Sequence, residues 1–140
     1  MKLLEGWLQN IPESMALTAS KLMIQRLKDL LDTEKSFAFE TTASGTNYVR
    51  HLKSAKAKGY EVSLTFLWLA KPEESVIRRY YLGIKNLLTH YLPLVDEALI
   101  MDNSSEKSSK RLIARKNKNK PLDVIDRDIW KKIQEIANEQ

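Results

Sequence analysis

The segment Val62-Ser63-Leu64-Thr65-Phe66-Leu67-Trp68-Leu69 constrains this chain more than any other. It is rich in β-branched and aromatic residues and is stopped by Lys71 and Pro72, which reads as a strand. Apolar residues fall on both of its faces near the end, the pattern of a strand covered on both sides in a parallel sheet. The apolar run Val62 to Ala70 is nine residues long and contains Ser63 and Thr65. That is far short of the roughly 20 residues needed to span a bilayer. The N-terminus has Lys2, Leu3 and Leu4 followed by Glu5 and Gly6, without the apolar centre of a signal peptide. No membrane partner is therefore expected, and the expected address is cytoplasmic.

Helical periodicity brackets this strand. Ala16, Ala19, Met23, Leu27 and Leu30 predict a helix from Pro12 to Leu31. Ser36-Phe37-Ala38-Phe39-Glu40 predicts a short strand. Asn47 to Lys58 is helical, with Gly59 as its C-terminal cap. Val76 to Leu92 predicts a third helix, carrying Gly83 inside it and ended by Pro93. Ala98 to Met101 and Arg111 to Ala114 predict two more strands, and a last helix starts near Asp126. Alternation of this kind predicts an α/β fold: a mainly parallel sheet with helices on both faces. Ligands in such sheets bind beyond the carboxyl ends of the strands. That directs attention to Glu40–Gly45, Ala70–Glu74 and Asp102–Ser105.

At 140 residues the chain is long enough for one domain with a core of its own. It has no cysteine, which excludes disulfides and thiolate metal or redox sites. His51 and His90 have no metal-ligand partner at helical spacing, so no zinc site is expected. The net charge is +5, and its location matters more than its size. Lys107, Lys110, Arg111, Arg115, Lys116, Lys118 and Lys120 face only Glu106 between residues 104 and 120, so this segment holds +6 and the rest −1. It reads as a basic flexible segment. Such a run could contact nucleic acid phosphates, making an interaction or nucleic-acid-binding module the alternative function. The segment lacks the aromatic residues that stack on bases, so nucleic acid is the weaker expectation.

A set of motifs in order adds a sharper expectation. Ser36-Phe37-Ala38-Phe39-Glu40-Thr41-Thr42-Ala43-Ser44-Gly45 is followed by Ala57-Lys58-Gly59-Tyr60-Glu61-Val62 and Phe66-Leu67-Trp68-Leu69. Val76-Ile77-Arg78-Arg79-Tyr80-Tyr81, Asn86-Leu87-Leu88 and Tyr91-Leu92-Pro93-Leu94-Val95-Asp96 come next, then Asp102-Asn103-Ser104 and Leu112-Ile113-Ala114. Over roughly residues 11 to 115 the chain resembles the zeta-toxin-like family of P-loop kinases. The resemblance implies an ATP-dependent phosphotransferase using ATP and Mg²⁺. Toxin members phosphorylate a UDP-amino-sugar and are held off by an antitoxin. By resemblance, Glu40, Thr41 and Thr42 fall where the acceptor substrate is contacted, and Arg78 or Arg79 where cations lie near the transferring phosphate.

Two parts of such a kinase are missing from the sequence. The glycines are Gly6, Gly45, Gly59 and Gly83, and no two have the G-x-x-x-x-G-K-[ST] spacing that cradles phosphates. The family carries that loop, and its presumed general base, ahead of the region matched. Its arginine-bearing lid is replaced here by Ala70-Lys71-Pro72-Glu73-Glu74-Ser75. The expectation is a truncated P-loop kinase-like core that is inactive alone, or one chain of a split kinase whose companion carries the P-loop. Losing a central strand would leave an edge or an apolar surface to cover. Plainer readings stand beside each site: Thr42 or Ser44 as a helix cap, Arg78 and Arg79 paired with Glu73 or Glu74, and Asp102-Asn103-Ser104 as a turn. Trp68 and Trp130 are expected in the core.

Overall fold

The structure, a computed structural model, describes residues 13–104 and 111–139. The chain divides into two compact units, Met1–Thr42 and Ala43–Gln140. Trp7, Gly6, Lys107 and Lys110 lie outside the described residues.

In the first unit, helix α1 spans Glu13–Leu31. Its stripe buries Met23, Leu27 and Leu31, close to the positions that the 3.6-residue period selects. Thr33 ends it by donating its hydroxyl to the Leu30 carbonyl at 2.7 Å. Glu34 follows with φ at +58° and turns the chain away. The predicted strand at Ser36–Glu40 does not form: the segment stays irregular and outside the sheet. Its alternation is nonetheless expressed, since Phe37 and Phe39 are half-buried between exposed Ser36, Ala38 and Glu40. Phe37, Ala38 and Phe39 line a shallow apolar depression with Met23, Leu27 and Leu30 of α1. Period-two alternation decides which side chains are buried, not whether the backbone finds a ladder to join.

The second unit begins with helix α2, Val49–Ala57. Its C-terminus closes as the sequence predicts. Gly59 takes φ +93°. Its N–H reaches the Lys56 carbonyl at 3.0 Å, while Tyr60 N–H reaches Ala55 at 3.1 Å. Those two bonds form a Schellman motif, which needs a left-handed residue at the glycine position. Strand β1, Ser63–Trp68, follows. Helix α3, Ile77–Asn86, then runs into a π-helical turn over Leu87–Tyr91. Strands β2 (Glu97–Asp102), β3 (Arg111–Lys116) and β4 (Asp123–Val124) precede helix α4, Arg127–Glu139.

The four strands lie in the order β1-β2-β3-β4. Only β1 and β2 are parallel; β3 runs antiparallel to β2, and β4 to β3. The sheet is therefore mixed, not mainly parallel. The reason is loop length: β1 reaches β2 through a helix, whereas short connections without a helix, such as that from β3 to β4, permit only antiparallel neighbours. A bulge between Ile100 and Met101 shifts the β2–β3 register, so Met101 faces Leu112 and Ile100 faces Ala114. The extra residue, Ile113, is fully buried beside buried Ala114. Two consecutive inward residues are what a bulge allows.

The expectation of helices on both faces is also corrected. Leu64, Phe66 and Trp68 of β1 and Ala98 and Ile100 of β2 turn to one core, together with Ile84 of α3 and Trp130 and Ile133 of α4. Both helices thus cover the same face. The alternate residues Ser63, Thr65, Leu67, Glu97 and Leu99 are exposed. Leu99 at 46% and Leu67 at 38% exposure show that this is not a covered face. Trp68 and Trp130 are core residues, as the sequence predicts. No described helix is long and apolar enough to cross a membrane.

Candidate functional site at the strand ends and the Ala43–Gly45 loop

The carboxyl ends of the parallel pair β1 and β2 are closed by hydrogen bonds. Asp102 Oδ1 accepts from the Ser104 N–H at 2.9 Å, and Ser104 Oγ accepts from the Ala70 N–H at 2.9 Å. Asn103 N–H donates to the Trp68 carbonyl at 2.9 Å. This is an Asx turn that continues the ladder past the strand end. The Ser104 hydroxyl and N–H hold the Asp102 carboxyl below its ordinary range, with Arg111 at 3.8 Å adding to it. Asp102 is therefore a tied carboxylate, and the turn accounts for the whole motif.

Tyr80 of α3 occupies the outer edge of β1. Its hydroxyl accepts from the Leu69 N–H at 2.7 Å and lies 3.4 Å from the Leu67 carbonyl. Burial pushes its phenol far above the ordinary value, and the Leu69 bond offsets this only in part. It stays protonated and seals part of an edge that would otherwise be open. β1 and β2 pair directly across six residues, so no slot for another strand lies between them. Among the described strands the sheet has two edges, the outer one of β1 and that of the two-residue β4.

Arg78 and Arg79 sit in the first turn of α3, both exposed. Among the described residues neither forms an ion pair, so the expected pairing with Glu73 or Glu74 is not made. Glu40 and Thr41 are exposed and Thr42 half-buried, on irregular chain of the first unit. The arginines belong to the second unit. Neither Thr42 nor Ser44 caps α2: the capping position is Tyr48, which makes no side-chain cap bond. Thr46 supplies the preceding turn instead, through its carbonyl to Val49 N–H at 3.1 Å.

The loop after Thr42 is held firmly. Asn86 Nδ2 donates to the Ala43 carbonyl at 2.8 Å, and the Tyr91 hydroxyl donates to the Gly45 carbonyl at 2.8 Å. Burial, with Tyr48 nearby, raises the Tyr91 phenol, so it remains a donor throughout the neutral range. Ala43 takes φ +54°, unusual for a residue with a Cβ. Asn86 and Tyr91 stand among the quoted motifs; periodicity places Tyr91 on the apolar stripe of its helix, where it is buried, and gives neither residue an anchoring role. Only their hydrogen bonds reveal one.

The basic segment is largely used within the protein. Lys116 Nζ, half-buried, donates to the carbonyls of Leu92 and Val95 at 2.8 Å each. Arg115 pairs with Asp123 at 3.4 Å, Arg111 with Asp102, and Lys118 with Glu61. Residues 111–116 form a strand and are not flexible, because Lys116 and the ladder to β2 hold them.

Among the described residues no glycine stands in a G-x-x-x-x-G-K-[ST] arrangement, and Gly45, ahead of α2, is a single glycine. Gly59 is a helix C-cap and Gly83 is buried inside α3. Among the described residues no three His, Asp or Glu side chains cluster as a metal site. In comparisons with known proteins, no family model, no curated protein and no solved structure matches this chain.

Proposed function

We propose that this chain carries the acceptor side of a zeta-toxin-like, ATP-dependent small-molecule kinase and does not transfer phosphate on its own. The reading rests on the ordered motifs from Ser36 to Ala114. One observation carries it further: Asn86 and Tyr91, which belong to those motifs, both anchor the loop that completes the Glu40-Thr41-Thr42 motif. Glu40, Thr41 and Thr42 then serve the acceptor, and Arg78 and Arg79 serve the phosphate once a donor site is supplied. That donor site, with its ATP and Mg²⁺, would come from a companion chain carrying the P-loop. An antitoxin is the other partner of this reading, and the cytoplasm its setting.

Phosphoryl transfer depends on positioning and on charge stabilisation. A chain without the phosphate cradle loses most of both, which is many orders of magnitude in rate. The rival reading, nucleic-acid binding through the basic segment, is disfavoured by local neutralisation: Arg111, Arg115 and Lys118 are each ion-paired. Calorimetry separates the outcomes. Heat of binding with UDP-N-acetylglucosamine and no turnover with ATP–Mg²⁺ are expected. Tight ATP binding with turnover by this chain alone would overturn the proposal. Failure to bind the sugar nucleotide would remove its acceptor half.

A further inference from the structure

Three observations meet at Ala43–Gly45. Ala43 holds φ +54°, a conformation that an L-residue with a Cβ disfavours by about tenfold or more. The carbonyls of Ala43 and Gly45 are each gripped by a side chain, Asn86 and Tyr91, at 2.8 Å. Those two residues are five apart. On a regular α-helix, at 3.6 residues per turn, they would point about 140° away from each other. Here the helix widens into the π-helical turn Leu87–Tyr91, closed by Leu92 N–H to the Leu87 carbonyl at 2.8 Å. A π-turn makes residues i and i+5 neighbours, as i and i+4 are on an α-helix. The widening thus brings Asn86 and Tyr91 to one side, against one loop. Pro93, just beyond, cannot continue the helix and lets the widened turn stand at its end.

We infer that Asn86 and Tyr91 are positioning residues that hold the Ala43–Gly45 loop in its strained, binding-ready form, with the π-turn as the device that aligns them. The inference rests on the acceptor-side reading above. A loop held in advance spares the ligand the cost of ordering it. If one clamp is removed and only a tenth of the molecules keep the competent loop, the apparent Kd rises tenfold.

The test uses the full chain with UDP-N-acetylglucosamine as the probe. Asn86→Asp keeps the side-chain shape and replaces the amide donor; Tyr91→Phe keeps the ring and removes the hydroxyl. Each is expected to raise the calorimetric Kd by about tenfold and to speed amide exchange at Ser44, Gly45 and Thr46. Ala43→Gly, which removes the penalty on positive φ, is expected to restore most of the affinity in the Asn86→Asp background. A purely structural role would lower the unfolding midpoint without that rescue. Unchanged Kd in both clamp variants, with wild type binding, overturns this inference and leaves the acceptor reading intact. Unchanged amide exchange overturns it with or without ligand. Absence of binding by wild type sinks the acceptor reading, and this inference falls with it. Should Asn86→Asp fail to fold, Tyr91→Phe carries the same test.

Discussion

Asp96 shows how one carboxylate ties together three parts of the second unit. Its Oδ2 accepts the Val62 N–H at 2.8 Å, at the entry to β1. Its Oδ1 lies 3.2 Å from Lys56 Nζ of α2, which also donates to the Leu94 carbonyl at 2.9 Å. The Val62 N–H, then Lys56, hold the Asp96 carboxyl below its ordinary value against the opposing effect of burial. The sign follows from linkage. A carboxyl whose folded pKa is depressed adds stability that is present above the unfolded pKa. That stability is lost as the pH falls through the folded value. Asp96→Ala is expected to cost about 1.5–3 kcal/mol at neutral pH, the range for hydrogen bonds to charged groups. It should also flatten the acid limb of stability, below about pH 4. Urea titrations across pH 2 to 7 check this; an acid limb as steep as that of wild type would count against it. Lys116 plays the matching part at the end of the π-turn, satisfying two carbonyls that the helix leaves open.

The α2 terminus depends on a single glycine. A Cβ built at Gly59 meets nothing within 4 Å, so space is no obstacle to substitution. The obstacle is φ at +93°. Gly59→Ala is therefore expected to destabilise by about 1–2 kcal/mol through backbone conformation alone, read as a fall in the denaturation midpoint at unchanged slope. A neutral or stabilising result would mean that the Schellman turn is not kept in solution. Strand β1 is a second case. Its inward residues Leu64, Phe66 and Trp68 alternate with outward Ser63, Thr65 and Leu67, the signature of a half-covered strand. Apolar residues on both faces do not make a strand doubly covered, since Leu67 remains open to solvent.

Among the described residues, the second unit builds its core from two helices on one face of a mixed sheet. Its largest fully buried side chains are Ile84, Ile100, Ile113 and Ile133. Ile113→Ala is expected to cost about 2–5 kcal/mol, as transfer and cavity terms add. Leu99→Ala, on the open face at 46% exposure, should stay within about 1 kcal/mol. Chemical denaturation of both variants tests the one-sided core directly. Similar losses at the two sites would show that the open face is covered in solution.

Periodicity and punctuation in the sequence determined the described helices, three of the four described strands, the Gly59 cap and both core tryptophans. These are local matters: spacing selects a face, and glycine or proline marks an end. The candidate acceptor residues Glu40, Thr41 and Thr42 come from the motif order between Ser36 and Ala114 and not from periodicity. What pairs with what was decided only in three dimensions. Phe37 and Phe39 show the alternation of a strand, yet they line a helix; β1 looks doubly covered, yet it is not. Lys116 reads as one charge in a flexible run and is in fact a half-buried anchor. Asn86 and Tyr91 meet the Ala43–Gly45 loop across more than 40 residues, through a π-turn that no local pattern announces. Hydrogen-bond partners and the second face of a sheet depend on which distant segment arrives, and side-chain spacing along one element holds no record of that.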